Sequence, residues 1–292
     1  MHSSGFKYYK RLIRYKFIKL LISALQSVDT PLNRQAALLM KIMPFIYHRE
    51  IIRGRELLPD LFSDRADQIV SGMIKNQVLN LLECIHYERL VEKDRDFVTI
   101  TGTQFIEDAL RNGTGGMILS AHFGNWELIA YKLAELGYDM NAIARPQAID
   151  QMTSLMNEFR EKRGVKVLMQ DNLAGSLKLL KQNKLIGIVA DLNARERGFQ
   201  VDFFGKKASF YISPVLLGIR SKAPLFPTFI QRMPDGKHVI EVQKPIFFFQ
   251  NENRRDQVQT YVDRYVDIFK KRPDHWVWFH ERYQHAELGK KV

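Results

Sequence analysis

In Ser120-Ala121-His122-Phe123-Gly124-Asn125-Trp126-Glu127 a histidine precedes a carboxylate by five positions, just after an apolar run. A carboxylate that accepts from one imidazole nitrogen leaves the other free to take a proton from a hydroxyl, which is general-base chemistry. On a regular helix, residues five apart sit about 140° from one another, so the two cannot meet on one helical face. They can meet if His122 lies in a loop, Gly124 makes a tight bend and Glu127 falls in a first helical turn, where the dipole favours negative charge. Asn125 then stands where an N-cap belongs. The competing reading is a loop histidine beside an unrelated surface glutamate.

The elements that must position this pair are legible in outline. The run at 116–121 is short, apolar and bounded by glycines, as a buried strand is. From there strands and helices alternate: a strand at 140–144, a helix through Arg160, a strand at 165–169, a helix near 173–182 and a strand at 185–190. The expected fold is therefore α/β, with a mostly parallel central sheet flanked by helices. Upstream, helices are expected near 6–28, 32–47 and 60–92, punctuated by Pro31, Pro44 and Pro59, with another near 103–112. A Pro234-Asp235-Gly236 turn joins 225–232 to 238–242 as a C-terminal antiparallel hairpin. A helix over 254–272 and an aromatic closing segment over 273–284 complete the chain.

Ligands of open α/β sheets collect at the carboxyl ends of the strands. His122 follows one strand, Arg145 the next and Asp191 a third. Each has a plain alternative: Arg145 as a surface ion pair, Asp191 as the cap of a turn. Arg195, Arg197, Lys206 and Lys207 flank an aromatic segment and read either as a solvated basic loop or as a clamp for a phosphorylated sugar or an acidic carrier. Trp276, Trp278 and Phe279 read as packing at the end of the domain, with stacking on a ligand as the alternative.

These residues fall in ordered blocks. They are Arg145-Pro146, Asn157 to Gly164, Ala190-Asp191-Leu192-Asn193, Val201 to Ala208, Ala223 to Pro227 and His275 to Arg282, after the His122 block. With them, the segment from about 116 to 284 resembles the bacterial lipid A secondary acyltransferases of the lysophospholipid acyltransferase superfamily, whose signature is His, four residues, then Asp or Glu. Leu192 departs from the pattern, because relatives commonly have glutamine there. The resemblance implies His122 and Glu127 as catalytic residues, Arg145, Asn125, Asp191, Arg160 and Lys206 as substrate-binding ones, and for Asp191 a supporting role that orients His122 or the substrate. It implies transfer of a fatty acyl group from acyl carrier protein or acyl-CoA to a lipid A precursor hydroxyl. No cofactor is expected, and no metal, because no second histidine stands within zinc-helix reach of His122 and no cysteine is near His275 and His280. Backbone N–H groups near the helix start, or Arg145, would steady the oxyanion. An in-class rival is acylation of another membrane lipid: a phospholipid, an aminolipid or a mannosylated inositol lipid.

Composition sets the bounds. A chain of 292 residues with 46% hydrophobic residues supplies a sizeable core. The single cysteine, Cys84, allows no internal disulfide, and the amino end has no signal-peptide pattern. The net charge of +12 points to acidic partners. Within 6–25, Phe6, Tyr9, Ile13, Phe17, Leu20 and Ala24 recur at helical spacing, with Lys7, Lys10, Arg11 and Arg14 mostly elsewhere on the wheel. Such a helix either lies in an anionic membrane interface or covers the protein's own core. It is too interrupted to span a bilayer, which takes roughly 20 apolar residues. The expected organisation is a membrane-associating helical region over 1–95 and a catalytic domain over 96–292, placed by the resemblance on the cytoplasmic face of the inner membrane. No nucleic acid is expected. The rival from another class, a basic peripheral binding protein without chemistry, accounts for the charge but not for the ordered blocks.

Overall fold

The apolar run after Gly115 becomes a strand buried along its whole length, and the sheet extends to either side of it. A computed structural model describes residues 2–28, 30–146, 149–169 and 172–280 of the chain. Five helices come first: α1 (His2–Ser27), α2 (Leu32–Ile46), α3 (His48–Leu57), α4 (Ala66–Ile85) and α5 (Tyr87–Lys93). The alternating part follows as β1 (Val98–Thr101), α6 (Thr103–Arg111), β2 (Gly116–Ser120), α7 (Glu127–Glu135), β3 (Met140–Ala144), α8 (Asp150–Glu161), β4 (Lys166–Met169), α9 (Leu173–Lys181) and β5 (Leu185–Val189). The chain continues through β6 (Gly198–Phe203), β7 (Lys206–Tyr211), α10 (Ser213–Ser221), β8 (Leu225–Arg232), β9 (His238–Val242) and α11 (Arg254–Lys271).

The main sheet has the order β1-β9-β8-β2-β5-β3-β4. All its neighbours run parallel except β8 and β9, which form the antiparallel hairpin expected around Pro234-Asp235-Gly236. The mostly parallel sheet is thus present as read from the sequence. Its order is decisive for function. β5 enters between β2 and β3, so the strand that precedes Asp191 lies directly beside the strand that precedes His122.

Several elements differ from expectation for physical reasons. The helix expected over 60–92 is divided into a 3-10 turn (Asp60–Arg65), α4 and α5, with a break at His86. Pro44 lies inside α2 instead of ending it, near the helix's end, where few turns remain to be disturbed. The strand β1 is too short to show a period, and α3 and α10 lack the long apolar stripe that reveals a helix. The basic, aromatic stretch around Lys206 forms a separate antiparallel ribbon, β6 with β7.

Side chains of β2 and β5 alternate between two cores. Met117, Leu119, Ile186 and Ile188 point toward α11 and α4, where they meet Tyr261, Tyr265, Phe269 and Met73. Ile118 and Leu185 point the other way, toward Leu128 and Leu133 of α7 and Ile106 of α6. Strands buried on both faces read as continuous apolar runs, which is why these were legible.

A buried polar cluster ties α4 to the β8–β9 hairpin. Arg232 donates through Nε and Nη2 to the two carboxylate oxygens of Glu83, at 2.9 and 2.8 Å, and through Nη2 to Asn80 Oδ1 at 2.8 Å. Nη1 donates to Asn76 Oδ1. His238 Nε2 lies 3.1 Å from Glu83 Oε2 but out of line, so neither of its ring nitrogens forms a hydrogen bond there. Burial by itself would raise the Glu83 carboxyl; the His238 ring and the Arg232 guanidinium outweigh it and bring it down to about 2.

That shift makes the fold acid-sensitive. The ionised Glu83 contributes its full stability above its ordinary value of 4.5 and loses it as the pH falls toward about 2. Asp274, brought to about 2 by His275 and Arg272 against the opposing effect of burial, adds to the same slope. Urea denaturation across this range is expected to show falling stability. Glu83→Gln should lower stability at neutral pH by ~3–5 kcal/mol, because it leaves Arg232 buried without its charge partner, and should flatten the acid slope. An unchanged slope would remove Glu83 from this role.

Candidate active site

Strand register brings the site together. Ser120 pairs with Val189 across β2 and β5, so residues two positions beyond each, His122 and Asp191, emerge side by side. His122 Nδ1 lies 2.8 Å from Asp191 Oδ1, and the His122 backbone N–H donates to Oδ2 at 3.1 Å. Asp191 is fully buried, whereas the His122 side chain retains 23% exposure. With Asp191 ionised, Nδ1 carries the proton and Nε2 presents a lone pair, the arrangement a general base needs.

A further donor completes the carboxylate. Trp276 Nε1 donates to Asp191 Oδ2 at 2.7 Å. The indole is fixed by aromatic stacking: Phe269 of α11 lies 4.3 Å away at 16°, and Tyr265 stacks on Phe269 in turn. Each such pair contributes about 0.5–1.5 kcal/mol beyond its buried area. Tyr265 also donates its hydroxyl to the Ser120 carbonyl at 2.8 Å, which fastens the end of β2 to the same helix. From sequence Trp276 reads as packing or, alternatively, as a ligand-stacking ring, and alternating aromatics carry no sign of the one N–H that reaches a carboxylate.

The loop after His122 is held from below. Gly124 has φ +56, and a Cβ there would lie 2.3 Å from the Ile230 carbonyl oxygen, so glycine is required both by conformation and by close approach. Its N–H donates to the His275 carbonyl at 2.8 Å, and its carbonyl accepts from Asn80 at 2.7 Å. Asn125 is buried and donates to the Asn80 carbonyl and to Glu83 at 2.9 Å. It does not cap α7, whose preceding residue Trp126 offers no side-chain cap. The expected capping role is corrected: the amide is drawn inward by the buried carboxylate.

Glu127 does stand in the first turn of α7, but it does not pair with His122. Arg160 of α8 takes both its oxygens, Nε to Oε2 at 3.0 Å and Nη2 to Oε1 at 2.6 Å. The expected relay from His122 to Glu127 is therefore replaced by two pairs, His122 with Asp191 and Glu127 with Arg160. The cause is direction: the helix carries Glu127 toward α8, where a two-pronged guanidinium matches a carboxylate better than an imidazole does. Together with Ser120 and Trp126, Glu127 and Arg160 line a crevice of about 60 Å³ whose other walls are apolar, among them Ile129, Met140 and Ile188. Arg160 is thus engaged within the protein.

Arg145 is exposed in the loop after β3, at the same edge of the sheet as His122 and Asp191. Lys206 begins β7, outside the main sheet and half-buried. His280, which has no assigned role in the sequence reading, brings its ring to 5.9 Å from that of His122. Cys84 is not a nucleophile here, because burial, aided by the nearby carboxylates of Glu127 and Glu83, raises its thiol far above the ordinary range.

The hydrogen bonds fix an observable tautomer. Nitrogen-15 NMR of the neutral His122 ring is expected to show the proton on Nδ1 and a bare Nε2. Asp191→Ala should release that preference and Glu127→Gln should leave it intact. The opposite pattern would make Glu127 the partner of His122.

Known proteins are similar to part of this sequence. Over 165 residues the chain is 24% identical to the phosphatidylinositol mannoside acyltransferase of Mycobacterium tuberculosis, a match covering 54% of this chain and 50% of that protein. It is 28% identical over 136 residues to the phosphatidylinositol mannoside acyltransferase of Mycolicibacterium smegmatis, covering 44% of each. The chain spans about half the length, or less, of the curated relatives it matches. Residues 56–285, which hold the whole sheet and both carboxylate pairs, match the family described as bacterial lipid A biosynthesis acyltransferase, and the chain belongs to that family.

Proposed function

We propose that the protein transfers a fatty acyl group from a thioester donor to a hydroxyl of a sugar-bearing membrane lipid. The observation that carries this reading is the His122–Asp191–Trp276 arrangement at the carboxyl edge of β2 and β5. His122 Nε2 takes the proton of the acceptor hydroxyl as its oxygen bonds to the thioester carbonyl carbon. The tetrahedral intermediate collapses with cleavage of the C–S bond, and the imidazolium returns the proton to the departing thiolate. Asp191 stabilises the imidazolium between these steps. Arg145 is the cation at the same edge that suits an acceptor phosphate or the oxyanion. Glu127 and Arg160 shape the crevice beside it and, on this reading, position the reactants without exchanging protons.

A sugar-bearing acceptor is what the family's description and the relatives' names have in common: lipid A and mannosylated phosphatidylinositol. A lipid A precursor and a mannosylated inositol lipid are accordingly the two acceptors to compare. Acyl carrier protein and acyl-CoA are the two donors. The test is mass spectrometry of lipids after incubation of the pure protein with each donor and acceptor. One acceptor should gain a single acyl chain, and His122→Ala should slow that gain by ~10²- to 10⁴-fold with the fold intact. Transfer at the wild-type rate by His122→Ala would remove the base from the mechanism.

The outer surface supports contact with the bilayer. Among the described residues, no helix is long and apolar enough to cross a membrane. On α1, however, Tyr9, Ile13, Phe17 and Leu20 all face outward, while Ile22 packs against Ile85 and Leu155. The apolar stripe found in the sequence is thus the exposed face, although the side chains of Phe6, Lys7, Lys10 and Arg14 lie outside those described. Phe45 of α2 is 85% exposed, with Leu38, Ile42 and Ile46 also open. Together with Arg11, Lys16 and Lys19, this suits an interfacial position on anionic lipid. Ile13→Gln with Phe17→Gln is expected to weaken binding to anionic vesicles about tenfold or more, since each exchange withdraws one large apolar side chain from lipid. The melting temperature should stay unchanged; a fall in melting temperature with vesicle binding retained would make the stripe a packing face.

A further inference from the structure

A groove of about 920 Å³ runs between α2, α4, the β8–β9 turn and the residues that follow α11. That volume is in the range of small-molecule sites. Its lining includes none of His122, Asp191, Glu127 or Arg160, so it stands apart from the proposed transfer chemistry and does not rest on it.

Its charge is uneven. Of the cations that line it, Arg232 is taken up by Glu83, and Arg272 by Asp274 at 3.4 Å. Arg65, Lys75 and Lys271 remain, all exposed at the groove; of the two carboxylates in its lining, Asp274 is paired with Arg272 and Asp235 stands against the three. Arg65 has Asp64 at 3.9 Å, both half-exposed or more, a separation at which a surface pair contributes little. Among the described residues, neither Lys75 nor Lys271 has a carboxylate within ion-pairing distance. The α2 wall is different in kind: Ala36, Ala37 and Met40 line it, on the helix whose neighbouring stripe is the exposed apolar face of Leu38, Ile42 and Phe45. Cations from the 3-10 turn, α4 and the end of α11, with apolar side chains of α2 beside them, fit an anion carried on an apolar body.

We infer that this groove is a second, non-catalytic binding site for a phosphate-bearing amphiphile, with Arg65, Lys75 and Lys271 facing the phosphate and α2 facing the apolar part. Its floor makes such a site consequential. Asp274 and His275 line it, and the His275 carbonyl accepts the Gly124 N–H two residues from His122. Gly72 of α4 permits the close packing, since a Cβ there would lie 3.0 Å from Asp274 Cβ. A ligand that bridges α4 and the end of α11 braces the segment on which the loop after His122 rests.

The test is calorimetric titration of the full chain, in non-ionic detergent, with dodecyl phosphate and separately with inorganic phosphate. Dodecyl phosphate should bind saturably, and the double variant Lys75→Gln/Lys271→Gln should weaken it about tenfold or more at unchanged melting temperature. Lys166→Gln, which removes a cation paired with Asp139 elsewhere, and His122→Ala should leave binding as it is. Weaker binding of inorganic phosphate would support the amphiphile; equal binding would mean free phosphate with no part for α2, and would overturn the proposal. Absence of binding, equal binding by the double variant, or loss of binding in His122→Ala would overturn the proposal, the last by moving the ligand to the acyl-transfer site.

Discussion

The buried carboxylate of Asp191 is the interaction on which the site depends. It accepts from the backbone and ring of His122 and from the indole of Trp276, and so joins the ends of β2 and β5 to the segment after α11. A carboxylate removed from water is tolerable only when such donors replace its hydration. On the acyl-transfer reading, the compensation also serves the chemistry. The donors that make burial possible hold the imidazole in one orientation with Nε2 outward. The parallel pairing of β2 with β5 supplies the register, and the aromatic stack from Tyr265 through Phe269 supplies the indole.

Around this centre the protein fixes the His122 loop from two sides. One support is the Arg232–Glu83 pair with Asn76, Asn80 and Asn125, which reaches the loop through the Gly124 carbonyl and the Asn125 amide. The other is the strand-like contact of Phe123 with Trp276. Breaking a buried pair of this kind costs far more than a surface one, so the loop's geometry is built into the fold and does not wait for substrate. The acyl-transfer reading draws on that rigidity, because a general base is effective only when its lone pair is already aimed.

Much of this was legible in the sequence, and the reason differs by residue. Apolar runs buried on both faces disclosed β2, β3 and β5, and the turn chemistry of Pro234-Asp235-Gly236 disclosed the hairpin. His122 in a loop, Gly124 at the bend and Glu127 in the first turn follow from local chemistry. The partner of His122 was legible only in part: the block around Asp191 pointed to a support for His122 or for the substrate, but the pairing itself depends on strand order. Asp191 lies far along the chain and becomes a neighbour only when β5 inserts beside β2. Nearness in sequence suggested Glu127 instead, while Arg160, the residue that engages Glu127, comes from another helix. The Trp276 donor was hidden for a similar reason, since a tryptophan's hydrogen bond leaves no trace in an aromatic pattern. The outward direction of the Ile13, Phe17 and Leu20 stripe needed the body of the protein to be in place.

The most direct test of the account is a single-turnover measurement of acyl transfer by Asp191→Asn, with donor affinity measured alongside. The amide preserves shape but withdraws the charge that supports the imidazolium. The chemical step is expected to slow by ~10²- to 10⁴-fold at unchanged donor affinity and with the Trp276 packing intact. A chemical step at the wild-type rate in a folded Asp191→Asn protein would contradict the account.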